Sequence, residues 1–192
     1  YDVDDMDAIL NQFISFMRDG SDEDLQDTNI NSLLQELVIQ FKPLDIRFEP
    51  KELPLIPART LSLKRLIGNL INNSKRYGSE PIELNAYVKD DHLMISVADN
   101  GEGIPEHQIE ELMQPFVRGD AARTVQGSGL GLAIVKRIVD IHQGELLIHN
   151  RPQGGLEAII SLPLSQEKPE DPTPSNPLEK IRQTLSERFD SR

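Results

Sequence analysis

Three asparagines crowd into five residues of NLINNSKRYG (69–78), and three glycines stand at every second position of QGSGLGL (126–132). Asn69, Asn73 and Arg76 fall at i, i+4 and i+7, on adjoining turns of one helix. Asparagine is a poor helix former, so this density is costly for surface cover alone. An uncharged amide oxygen is a suitable Mg²⁺ ligand where phosphates carry most of the negative charge. Arg65, Lys75 and Arg76 gather cations on the same helix. A solvated polar face is the plain alternative. The glycines 127, 129 and 131 run into an apolar stretch with a helical beat, LAIVKRIVDI. Glycine weakens a helix by up to about 1 kcal/mol relative to alanine, so something must come close to the backbone there. Bare N–H groups at a helix start can seat an anion, which the helix dipole also favours; tight packing of helix on sheet is the competing explanation. No Gly-Lys-Ser/Thr follows, and the third glycine is wrongly spaced for a dinucleotide fingerprint.

Two further stretches belong with these. DNGEG (99–103) closes an apolar strand pattern. Asp-Asn-Gly is a good turn, but a carboxylate held at a strand end, with two glycines beyond it, can also accept from an exocyclic amine while a flat ring lies on the glycines. Adenine offers that amine. QPFVRGDAARTVQ (114–126) is polar and aperiodic and contains Arg118, Gly119 and Arg123. It suits either a lid that orders over a nucleotide or an ordinary loop.

The elements that must carry these residues can be read from periodicity. Residues 1–19 place Val3, Met6, Leu10, Phe13 and Met17 three and four apart, the seam of a helix lying on another helix or on its own domain. An acidic linker (20–28) follows. Helices are expected from Asn29, with Leu33, Leu34 and Leu37 inward, and from Arg59 to Tyr77, with Leu63, Leu66, Ile67, Leu70 and Ile71 inward. IRFEP reads as a short strand; 82–88 pairs with 92–99, and 145–150 with 156–164, as hairpins. This order predicts a two-layer α/β sandwich, a mixed sheet with helices on one face, over residues 29–164. Residues 165–192 read as a Pro-rich disordered tail with room for one short helix.

The whole chain sets bounds. Its 192 residues suit one domain with appendages. The net charge of -12 argues against a general nucleic-acid binder. No cysteine is present, so disulfides and thiolate metal sites are excluded. No apolar run approaches the length of a membrane span. Beginning at Tyr1 without methionine, the chain is expected to be a piece of a longer protein.

Taken in order, the boxes NLINN, DNGEG, PFVRG and GSGLGL resemble the N, first glycine, F and second glycine boxes of the sensor histidine kinase ATP-binding domain. That domain has the Bergerat (GHKL) fold, shared with Hsp90, gyrase B and MutL. YDVDDMDAIL, PFVRGDAART and GLGLAIVKRIVDIHQG look like the EnvZ osmosensor type. The resemblance implies that Asn73 binds Mg²⁺ with Asn69 in support, and that Arg76 and Lys75 meet phosphate, with Ser74 beside them. Tyr77 would lie near the adenine, Asp99 would bond its amine, and Gly101, Gly103 and Ile104 would make room for the ring. Arg118, Gly119 and Arg123 would belong to the lid. Ser128, Gly129, Leu130, Gly131 and Leu132 would form the phosphate turn. Asn73, Arg76 and Arg118 would be the catalytic set.

ATPases of this fold use a glutamate four residues before the Mg²⁺-binding asparagine as general base. Asn69 stands there and cannot serve, so the resemblance implies ATP held for transfer rather than hydrolysis. In the family the acceptor is a histidine. His92, His107, His142 and His149 lack the family's acceptor setting, which places the acceptor outside this chain. Residues 1–19 would then be the end of the second dimerisation and phosphoacceptor helix. The resemblance further implies a homodimeric protein-histidine kinase, cytoplasmic in this part and anchored in the bacterial inner membrane, passing phosphate to an OmpR-like response regulator. A GHKL nucleotide-binding regulator or an ATPase are the alternatives.

Overall fold

The computed structural model describes residues 22–115, 117 and 129–165. The helix expected over 1–19, the tail beyond 165, and Arg118, Gly119, Arg123 and Ser128 lie outside these residues. The described elements are β1 (Gln26–Thr28), α1 (Ile30–Gln40), β2 (Ile46–Phe48), β3 (Ile56–Ala58), α2 (Thr60–Tyr77), β4 (Ile82–Lys89), β5 (His92–Ala98), α3 (Glu106–Leu112), α4 (Gly131–Ile141), β6 (Glu145–Asn150) and β7 (Leu156–Pro163).

Five strands form one mixed sheet in the order β2-β4-β5-β7-β6, with β2 parallel to β4 and every other pair antiparallel. Period-2 alternation sets its inner face. Leu84 and Ala86, Leu93, Ile95 and Val97, and Ala158, Ile160 and Leu162 are buried there. Against them lie Leu33, Leu34 and Leu37 of α1, Leu63, Leu66, Ile67, Leu70 and Ile71 of α2, and Ile134, Val135, Ile138 and Val139 of α4. Each such aliphatic side chain contributes about 1.5–3 kcal/mol by leaving water, so this seam of helices on sheet dominates stability. The α/β sandwich and all its expected helices and strands are present. The β4–β5 turn takes Asp90 and Asp91 through the left-handed region, at φ 48° and 57°, as a tight hairpin of right-twisted strands requires.

Three elements depart from the periodicity reading. The acidic stretch 20–28, expected to be a linker, contributes β1, which pairs antiparallel with β3 in the Pro-punctuated stretch where no strand was expected. His107 belongs to α3, a seven-residue helix with no buried side chain that periodicity does not announce. Elements this short carry no readable period; β1 exists because β3 supplies its hydrogen bonds.

The ends of α2 and α4 are tied together. Helix α2 has no cap from its own N-cap residue, Arg59. Glu23 provides it from 38 residues away: Oε1 accepts from the Leu61 N–H at 2.7 Å, and Oε2 from the Ser62 N–H at 2.9 Å and hydroxyl at 2.7 Å. Next to it His142, just past α4, is fully buried. Its Nδ1 donates to the Ile138 carbonyl at 2.7 Å, and its Nε2 accepts the Arg59 backbone N–H at 3.0 Å. The Arg59 guanidinium donates to the Ile141 carbonyl at 3.2 Å. The imidazole is therefore neutral, with its proton on Nδ1. Burial, the largest influence, lowers the His142 pKa; the Ile138 bond and Glu23 oppose it, Arg59 adds to it, and the net is downward.

Two outcomes follow from this joint. Glu23→Ala should lower stability by about 1 kcal/mol, the worth of a helix cap, seen as an earlier denaturation midpoint; an unmoved midpoint would show the cap to be idle. A folded-state pKa below the unfolded one makes the unfolded chain the better proton binder, so the stabilisation is complete above about pH 6.5 and is lost as pH falls through the lower folded value. Thermal midpoints should therefore fall from about pH 6.5 towards 5, and His142→Gln should flatten that limb. An equally steep limb in the variant would remove His142 as its source.

Candidate nucleotide site

The site is assembled at the far ends of α2 and α4 from the Glu23–His142 joint. Arg59 at the start of α2 meets His142 at the end of α4, and Asn73 near the end of α2 meets Gly131 at the start of α4, so the two helices run antiparallel. A Cβ built on Gly131 would stand 3.2 Å from Asn73 Oδ1 and 3.8 Å from Asn69 Oδ1. Among the described atoms, what comes close to that glycine is thus the side-chain amides of Asn73, whose Nδ2 is also within 3.6 Å, and of Asn69. Asn69 is fixed by its own Nδ2, which donates to the Arg65 carbonyl one turn back at 2.9 Å. Burial lowers the Arg65 pKa. Gly129 takes φ 71°, a conformation that L side chains rarely adopt. Leu130 is fully buried and anchors the start of α4, and Leu132 is half-buried against the core.

The second wall is β5 and the loop after it. Asp99 is 5% exposed. Its backbone N–H bonds the Leu156 carbonyl at 3.0 Å, and its Oδ1 accepts from the Gly101 N–H at 2.9 Å and the Leu156 N–H at 3.3 Å. Among the described residues no donor engages Oδ2, which leaves that oxygen able to accept from a ligand. Two glycines make the seat possible. A Cβ on Gly78 would fall 2.4 Å from Asp99 Cγ, and one on Gly101 would fall 2.7 Å from the Gly78 Cα. Gly103, at φ 80°, lies against Asn150, whose amide takes both polar groups of Ile104: Oδ1 accepts its N–H at 2.9 Å and Nδ2 donates to its carbonyl at 2.7 Å.

Most of the expected residues within the described chain therefore fall into two neighbouring groups, Asn69, Asn73, Gly129, Leu130 and Gly131 around the α2–α4 contact, and Asp99, Gly101, Gly103 and Ile104 on the loop. Ser74 faces the core at 7% exposure, which takes its hydroxyl off the surface that Asn73 shares. Lys75, Arg76 and Tyr77 are exposed on the last turn of α2. Gly78, Asn150, Arg151 and Gly155 escaped the sequence reading, because their partners are distant in the chain; the position of Gly78 at the end of the asparagine-rich helix was the one available signal.

A shallow depression of about 390 Å³ lies elsewhere, between Met113 and the α4 face bearing Lys136 and Asp140, and includes none of these residues. No group of three or more His, Cys, Asp or Glu suited to a metal occurs among the described residues. The donor set at Gly131 is amide only, which fits a cation bound mainly by phosphates. His142 is enclosed with both nitrogens engaged, so it cannot accept a phosphoryl group. His149 bonds the Asn150 carbonyl through Nδ1 at 3.0 Å and has Nε2 3.3 Å from Glu157.

Residues 58–166, more than half of the chain, match the family described as histidine kinase-, DNA gyrase B-, and HSP90-like ATPase. The chain belongs to that family. Its relatives place this ATPase-family member among the ATP-binding catalytic domains of sensor histidine kinases. It is 32% identical over 165 residues to sensor histidine kinase GtrS of Pseudomonas aeruginosa, covering 84% of this chain and 34% of that protein. It is 34% identical to the histidine kinase domain of the Escherichia coli osmosensor EnvZ, solved by NMR, with a TM-score of 0.57 and coverage of 79% and 94%. A full-length ShkA crystal structure with AMPPNP superimposes at a TM-score of 0.72, with 24% identity and coverage of 83% and 36%, and shows the shared fold. The chain spans only 13% to 34% of the length of the first curated relatives it matches. Among the described residues no helix is long and apolar enough to cross a membrane.

Gly78 has φ −100° and ψ −160°, which any residue can adopt, so a substitution there is opposed by contact alone. Gly78→Ala should displace the Asp99 carboxylate and weaken ATP binding at least about tenfold, with about 1–3 kcal/mol of lost stability from overpacking. Calorimetric titration beside a denaturation curve checks both; a parent-like ATP affinity would mean that the Asp99 seat tolerates a methyl group.

Proposed function

We propose that the chain binds Mg-ATP between α2, the 99–103 loop and the start of α4, and presents the γ-phosphoryl group to a histidine outside these 192 residues. The observation that carries this reading is the convergence of the Asn73 and Asn69 amide oxygens on Gly131. It puts neutral oxygen donors beside a glycine-built helix start, the pairing a chelated triphosphate requires. Asp99 Oδ2 would accept the adenine amine, and Tyr77 would lie near the ring. Lys75 and Arg76, with Arg118, Gly119 and Arg123 of the lid and Ser128 of the turn, would meet the phosphates. Bound Mg-ATP would supply the electrophilic phosphorus and its leaving group. The protein's part would be to hold the donor in line and neutralise charge while the acceptor nitrogen forms its bond to phosphorus and ADP leaves.

Asn69 favours transfer over hydrolysis. At its position a carboxylate would activate water; here stands an amide whose nitrogen is committed to the Arg65 carbonyl. The likeness to EnvZ and GtrS supports the wider reading, in which a homodimeric, membrane-anchored kinase passes the phosphoryl group to an OmpR-like response regulator, in an osmosensing type of circuit. Residues 1–19 would then end the phosphoacceptor hairpin, with 29–164 as the catalytic domain.

Incubating the chain with Mg-ATP and a separately expressed phosphoacceptor hairpin should yield acid-labile phosphohistidine on the hairpin. Free phosphate released without it would instead favour an ATPase. Asn73→Ala should abolish the transfer and Mg-dependent ATP binding while keeping the thermal transition; retained Mg-ATP affinity would take Asn73 out of its role.

A further inference from the structure

Arg151 opens the β6–β7 hairpin, RPQGG, a turn that could have kept its arginine in water. Its side chain is instead 9% exposed. All five of its N–H groups are taken. Nη1 donates to the Asp99 carbonyl at 2.9 Å and to Asn100 Oδ1 at 3.2 Å, and Nη2 meets Glu83 Oε1 at 3.1 Å. With the Gln153 amide turned to present its oxygen, Nη2 and Nε donate to it at 2.7 and 3.1 Å. A buried cation is costly unless paired and bonded in full. This one is, and its bonds run to the backbone of the residue that holds the base-recognising carboxylate.

The same carbonyl is approached from the hairpin by a bare glycine. Gly155 has φ 92°, and a Cβ there would fall 1.9 Å from the Asp99 oxygen. The peptide between Asp99 and Asn100 is thus gripped on its oxygen side by Arg151 and Gly155, and on its N–H side by the Ser79 carbonyl, 3.0 Å from the Asn100 nitrogen. The next peptide along, Asn100–Gly101, supplies the N–H that holds Asp99 Oδ1, so that bond starts from the place where the Asp99–Asn100 peptide is fixed.

We infer that Arg151 is a positioning residue for base recognition, its guanidinium fixing the Asp99–Asn100 peptide so that the Asp99 carboxylate is aimed into the nucleotide site. This rests on the reading of Asp99 as the acceptor of the adenine amine. The planar fork is essential, because an ammonium can reach one or two of these acceptors and cannot span all four.

The test titrates ATP, GTP and inorganic tripolyphosphate, each with magnesium, into the chain and into Arg151→Lys, Glu83→Gln and Asp99→Asn. Arg151→Lys should weaken ATP about tenfold and narrow the ATP-over-GTP preference, with tripolyphosphate binding unchanged. Glu83→Gln, at a partly exposed position, should shift the preference the same way by a smaller factor. Equal losses for ATP and tripolyphosphate would make Arg151 a general stabiliser and overturn the inference, as would an undiminished preference in folded Arg151→Lys. Should that variant not fold, Glu83→Gln decides by the same readings. Asp99→Asn separates the two levels. If it leaves the preference intact, the adenine reading falls; if it erases the preference and Arg151→Lys does not, only the role of Arg151 falls.

Discussion

The Asp99 carboxylate sits where three chain segments meet with almost no side chains between them. Gly78 from the end of α2, Gly101 from its own loop and Gly155 from the last hairpin each come so close that a methyl group would collide with Asp99 or with its neighbour. Interiors are packed to near-crystalline density and transmit displacement rather than absorb it. A carboxylate held this way has one orientation. The rest of the site is arranged with respect to it: α2 can end where it does because Gly78 is bare, and the β6–β7 hairpin can close because Gly155 is bare.

The asparagine helix is the other fixed reference, and it is held at both ends by partners remote in sequence. At its start the Glu23 carboxylate meets the orphan N–H groups of the first turn, and His142 accepts the N–H of Arg59. At its end the Asn73 amide meets the bare first residue of α4. The Glu23–His142 joint and the Asn73–Gly131 contact therefore lie at opposite ends of the same antiparallel helix pair.

The groups gathered at Gly131 are neutral amides and α2 carries Arg65, Lys75 and Arg76, an arrangement suited to a ligand that brings its own negative charge. An overall charge of -12 and a polyanion site coexist because the cations are local.

Much of this was legible in residue order alone. The alternation of Leu93, Ile95 and Val97, and the three-and-four spacing of Leu63, Leu66, Ile67 and Leu70, determine strand and helix because those periods have one geometric meaning each. Asn69, Asn73 and the glycines at 129 and 131 drew notice by being poor choices for plain structure, whereas Asp99 stood in a sequence that a plain turn would equally use. Residues whose meaning lies in a distant partner stayed silent: Glu23 as the cap of a helix 38 positions on, Gly78 as the floor under Asp99, Arg151 as the clamp on its peptide, and β1, whose hydrogen bonds belong to β3. Local patterns report on neighbours within a turn or a strand. Caps, bare contacts and buried arginines are decided only when the fold brings remote backbone within a few ångströms.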